Sequence, residues 1–247
     1  MNFKRLIPNA LTMGNLLGGA FVCWSAASGA DITDGVVAGV WLAAMFFDVL
    51  DGWAARKLGV DGPMGVQLDS LADLVTGGLA PAFVAYRLVC ESGACDGLVL
   101  NALPALLVVA AAYRLARYNV SAAESVGGGN GYFEGLPAPA AGLFWMGMTM
   151  WWGGVEYASG LELRVMLVVA GVGMLVVPLL MVIKRPFFGL KSWGNDIKID
   201  RVRGGLGLGF IGVAIGTWFA WGNVYSAVPL CVLLYSGLAL IFAPKNN

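Results

Sequence analysis

Seven long stretches of this 247-residue chain contain no Asp, Glu, Lys or Arg: residues 6–30, 35–47, 74–86, 97–113, 135–155, 165–183 and 204–244. A helix needs roughly 20 apolar residues to cross the hydrocarbon core of a bilayer. With 59% hydrophobic and 12% charged residues, the chain reads as an all-α integral membrane protein. The last run is long enough for two spans, with a turn at Gly222-Asn223. The short runs 35–47 and 74–86 become full spans only if the residues between them extend both helices, to approximately 35–57 and 65–89. The expectation is eight spans. For the first segment the alternative is a cleaved signal peptide, since basic MNFKR precedes an apolar run and SAASGA resembles a cleavage site.

The 15 basic and 15 acidic residues cancel, but they are not evenly placed. With the amino terminus in the cytoplasm, 13 of the 15 basic residues fall at or near cytoplasmic ends, leaving Arg87 and Arg164 on the other side. The positive-inside rule therefore puts both termini in the cytoplasm of a cell (inner) membrane. Nothing in this balance suggests a nucleic-acid partner. Cys23 and Cys231 fall within spans, while Cys90 and Cys95 would pair only in an oxidising compartment. Gly127 to Gly131 reads as a loop, and the basic connection 184–203 as a segment lying on anionic headgroups.

One stretch departs from the oily pattern. Residues 48–73, DVLDGWAARKLGVDGPMGVQLDSLAD, hold five of the chain's acidic residues. Asp48 and Asp51 are three apart and Asp69 and Asp73 four apart, so each pair shares a helical face. Gly59, Gly62 and Pro63 favour a tight turn, which sets the two helices antiparallel and side by side. The 13-residue apolar run before Asp48 amounts to about 20 Å of helix, leaving the carboxylates near the cytoplasmic edge, within reach of a water-soluble substrate. Four crowded carboxylates need compensating charge, and two divalent cations would balance them. Oxygen ligands and a complete absence of histidine favour Mg²⁺ or Mn²⁺ over zinc. Two such ions are an established device for phosphoryl transfer. Gly52 and Ala55 would let phosphates approach the backbone, and Arg56 would add positive charge. On spacing alone, ion pairing within a helix bundle and a divalent-cation pathway remain open.

The pattern Asp48-x-x-Asp51-Gly52-x-x-Ala55-Arg56, eight further residues, then Gly65-x-x-x-Asp69-x-x-x-Asp73 resembles the signature of the CDP-alcohol phosphotransferases at every fixed position. The resemblance implies a membrane-embedded homodimer with a six-helix core that moves a phosphatidyl group from a CDP-lipid to an alcohol and releases CMP. It implies that Asp48, Asp51, Asp69 and Asp73 bind two metal ions and that Asp73 is also the general base. Gly52 and Arg56 match nucleotide and diphosphate contacts, and Gly62 stands where relatives often carry a serine or threonine. PNALTMGNLLGG, LDSLADLVTGGLAPA, RLARYN and FEGLPAPAA look like the phosphatidylserine synthase branch, for which CDP-diacylglycerol and L-serine are the substrates.

The resemblance covers about residues 1–190, leaving 191–247 as a two-span C-terminal extension. Asn9, Thr12 and Asn15, at three-residue spacing on the first helix, would form a nucleotide-facing edge, or else cap and pack locally. Arg114 and Arg117 would hold the acceptor's carboxylate or a phosphate, or anchor a helix end. Lys184, Arg185 and Lys191 would bind phosphate or lipid headgroups. Pro137 and the small residues of GLPAPAA read as a helix start built for close packing.

Overall fold

A computed structural model describes residues 3–33, 35–60, 62–93, 97, 101–124, 132–154, 160–189 and 197–242. Its eight helices of 16 residues or more are α1 (Phe3–Ser28), α2 (Gly35–Leu58), α3 (Pro63–Glu91), α4 (Ala105–Glu124), α5 (Ala138–Gly153), α6 (Gly160–Val182), α7 (Ile197–Trp221) and α8 (Ala227–Phe242). A two-stranded antiparallel ribbon, β1 (Tyr132–Glu134) with β2 (Pro186–Phe188), pairs Phe133 with Phe187. Among the described residues five helices, α1, α2, α3, α6 and α7, are long and apolar enough to cross a membrane. The other three of the eight expected spans fall short for visible reasons. α5 and α8 have only 16 residues each, about 24 Å of helix, and α4 carries two arginines in its interior.

Helix boundaries follow local chemistry. α2 ends in a Schellman motif: Gly59 adopts φ +60°, its N–H donates to Arg56 O (3.2 Å) and Val60 N–H donates to Ala55 O (3.1 Å). Gly62 then caps α3 and Pro63 fills its first turn, where a missing N–H costs nothing. α7 likewise stops at Gly222, φ +73°. α4 begins eight residues later than the uncharged run 97–113, because the chain is still turning at Pro104, and it continues past both arginines to Glu124. Arg114 and Arg117 are therefore mid-helix rather than at a helix end.

α3 is interrupted by a single π-helical turn, Val75–Leu79, with sequence VTGGL. Its glycines are contact points: a Cβ on Gly77 would lie 2.9 Å from Ala138 Cβ, and one on Gly78 would lie 2.7 Å from Ala111 Cβ. The small residues of GLPAPAA thus do serve close packing, with Pro137 as the cap of α5. Trp41, 1% exposed, donates from Nε1 to Thr76 O at 3.1 Å and secures the turn against α2. α1 belongs to the same packed unit, with Gly18 against Ala44 and Gly19 against Thr76. The core runs from Trp41 through Phe144, Trp145 and Trp151 to Phe187 and Phe188.

Candidate active site

The periodicity of α2 and α3 delivers the acidic residues to one place. Ligand oxygens of Asp48, Asp51 and Asp69 all lie within 4.8 Å of one another, and Asp48 also touches the Asp73 carboxyl. α1 packs along both neighbours, whereas α2 and the first half of α3 meet through their aspartates, not side by side along their backbones as the short turn suggested. No salt bridge engages these four residues among the described ones, so ion pairing does not account for them. Hard oxygen donors, crowded and without a salt bridge among the described residues, are a donor set suited to a divalent metal ion.

Beside the cluster lies a cavity of about 590 Å³. α2 contributes Asp51, Gly52, Ala55 and Arg56 to its wall, α3 contributes Gly65 and Asp69, and α1 contributes Asn9 and Thr12. The Arg56 guanidinium lies over Gly52, 3.2 Å from where a Cβ would stand, so the glycine keeps this approach open. A Cβ on Gly65 would meet nothing within 4 Å, consistent with its facing free space. Thr12 is buried, and its hydroxyl donates to Asp51 Oδ2 while lying 3.0 Å from Pro8 O. Arg5 also lines the cavity, although the sequence marked it only as a basic residue at a membrane edge.

Asn15 is placed differently from Thr12. It is fully buried, its Oδ1 accepts from the Thr76 hydroxyl at 2.7 Å, and its Nδ2 has no partner among the described residues. It lines a second, small cavity with Asp48, Asp73 and Thr76 on the other side of the cluster. Thr76 carried no sequence signal of its own; only the π turn gives it this position.

The two arginines of α4 also differ. Arg114 is 8% exposed, lies within electrostatic reach of Asp73, and its Nε has no hydrogen-bond partner among the described residues. Arg117 is consumed by the fold: Nη1 donates to Val182 O (2.8 Å), Nη2 to Glu134 O (3.1 Å), and Nε pairs with Glu134 at 3.3 Å. Asn119 of RLARYN donates to Ser70 Oγ at 2.8 Å and ties α4 to α3. Lys184 and Arg185 have exposed side chains just before the ribbon's second strand. Asp61, Lys191, Cys95 and the 127–131 loop lie outside the described residues.

This chain belongs to the CDP-alcohol phosphatidyltransferase family, whose model matches residues 5–185. Among its relatives, the CDP-diacylglycerol--serine O-phosphatidyltransferase of Saccharomyces cerevisiae is 40% identical over 112 residues, 44% of this chain and 39% of that one. The protein of the same name from Helicobacter pylori is 35% identical over 146 residues, 58% of this chain and 56% of its own. An archaetidylserine synthase of Methanothermobacter thermautotrophicus is 41% identical over 106 residues, 41% of each chain. The matched stretch thus spans between 39% and 56% of the length of these relatives.

Proposed function

We propose that this protein transfers the phosphatidyl group of CDP-diacylglycerol to the hydroxyl of L-serine, forming phosphatidylserine and CMP. The observation that carries the reading is the meeting of Asp48, Asp51 and Asp69, with Asp73 in contact with Asp48, beside a cavity walled by Gly52, Ala55, Arg56 and Gly65. The names of the relatives support serine as the acceptor. Residues 1–190 form the catalytic unit and 191–247 an extension.

In this reading the larger cavity takes the CDP moiety, with Thr12 on its wall and Arg56 drawing the diphosphate over Gly52. Asp48, Asp51, Asp69 and Asp73 would hold two Mg²⁺ or Mn²⁺ ions, whose charge would neutralise the diphosphate and the departing phosphate. Asp73 takes the proton of the serine hydroxyl as its oxygen attacks the phosphorus bearing the diacylglycerol. A new P–O bond forms to serine, the bond to the bridging diphosphate oxygen breaks, and CMP leaves with that electron pair. Arg114, buried and lacking an Nε partner among the described residues, receives the serine carboxylate, while Lys184 and Arg185 lie near the acceptor's route in. The site faces the cytoplasm, with both termini on that side, and the enzyme works as a homodimer.

The test is CMP release by purified protein given CDP-diacylglycerol, Mn²⁺ or Mg²⁺, and either serine or glycerol 3-phosphate. Serine-dependent release is expected. Release with glycerol 3-phosphate alone would move the protein to another acceptor, and no release with any alcohol would favour a divalent-cation pathway.

A further inference from the structure

The family match ends at residue 185, yet Tyr235 beyond it lies within electrostatic reach of Arg114. Arg117 of α4 grips the β1 side of the ribbon through Glu134 O and the end of α6 through Val182 O. The β2 side is gripped from α8: the Tyr235 hydroxyl donates to Phe188 O at 3.0 Å, and its ring packs edge-on against Phe187 and Phe188 at 6.0 and 5.4 Å. Tyr235 is 7% exposed, and its phenol lies within electrostatic reach of both Arg114 and Arg203. Arg203, on the first turns of α7, is 6% exposed and paired with Asp200 at 2.6 Å. α8 is itself fixed to the core, since a Cβ on Gly147 of α5 would lie 2.6 Å from Pro229.

We propose that Tyr235 is a positioning residue for the acceptor site: by holding Phe188 O it fixes the ribbon alongside Arg114, so that α8 completes the pocket in which the acceptor carboxylate binds. The proposal rests on the serine-transfer reading. It gives the C-terminal helices a role in acceptor recognition. A buried guanidinium binds an anion well only if its surroundings keep it in one place and keep water out, because its affinity depends on geometry and desolvation.

The experiment is steady-state kinetics of full-length Tyr235→Phe in lipid–detergent micelles, varying serine and CDP-diacylglycerol separately. Losing one net hydrogen bond should raise KM for serine about fivefold and leave kcat and KM for CDP-diacylglycerol within about twofold. Tyr235→Leu, which also removes the ring contacts, should add a lower thermal midpoint. An unchanged KM for serine in Tyr235→Phe would overturn the proposal, as would a uniform fall in all parameters that tracks the thermal midpoint. In either case serine-dependent CMP release by the unaltered protein would leave the transfer reading standing. Absence of that release would remove both.

Discussion

Helices α3 and α7 are both long, apolar and punctuated by glycine, yet half of the first one's apolar window is buried and only 11% of the second's. In α3, Gly77 and Gly78 are closed over by Ala138 and Ala111. In α7, a Cβ added to Gly204, Gly205, Gly207, Gly212 or Gly216 would meet nothing within 4 Å. Its face displays Leu208, Ile211, Ile215, Trp218 and Phe219. Small residues mark helix interfaces in membranes, but the pattern alone does not say whether a neighbour is there. α3 has its neighbours because it carries half of the site: the two glycines let α4 and α5 close on the π turn that follows Asp73. α7 holds onto the protein along one narrow face, through Ile199, Arg203 and Leu206 in its first turns, Gly209 against Leu234 of α8, and Thr217 and Trp221 near its end.

This contrast can be broken by substitution. The largest effect should come at the chemical end of α3, where Asp73→Asn is expected to lower kcat roughly a thousandfold, as loss of a general base does. Binding of CDP-diacylglycerol should largely persist, and equilibrium binding set beside turnover checks both halves. Next in size is Gly78→Ala: with Ala111 Cβ at 2.7 Å the turn must shift, costing about 1–3 kcal/mol. Thermal unfolding in detergent should show it as a lower midpoint. The smallest effect should be Gly212→Ala in α7, where the added methyl group finds open space. There the midpoint should hold or rise, by up to about 1 kcal/mol of helix propensity. Equal losses at Gly78 and Gly212 would mean that the Gly212 face of α7 has a packed partner and would erase the distinction.

Much of the acidic half was legible because its information is local. Three- and four-residue spacing placed the aspartate pairs, and Gly59, Gly62 and Pro63 specified a cap, a turn and a start that the backbone then follows. What was not legible depends on residues distant in sequence. The π turn at Val75–Leu79 is held by Trp41 and by glycines whose partners lie some 30 to 60 residues further on, and no periodicity signals it. Arg114 and Arg117 look alike in RLARYN. Only the end of α6 and the ribbon, two strands of three residues too short to read from sequence, turn Arg117 into a clamp, while Arg114 has no Nε partner among the described residues. Asn15 and Thr12 share a helix and a spacing, yet they serve cavities on opposite sides of the cluster, because Asn15 faces Thr76 and Thr12 faces Asp51.

The most direct test of the metal-bearing aspartate cleft is serine-dependent CMP release by the purified protein in excess EDTA and after Mn²⁺ or Mg²⁺ is restored. No release is expected in the chelator, full recovery on re-addition, and no recovery when Asp48 and Asp69 are both replaced by alanine. Undiminished release in EDTA, or activity retained by the doubly substituted protein, would contradict it.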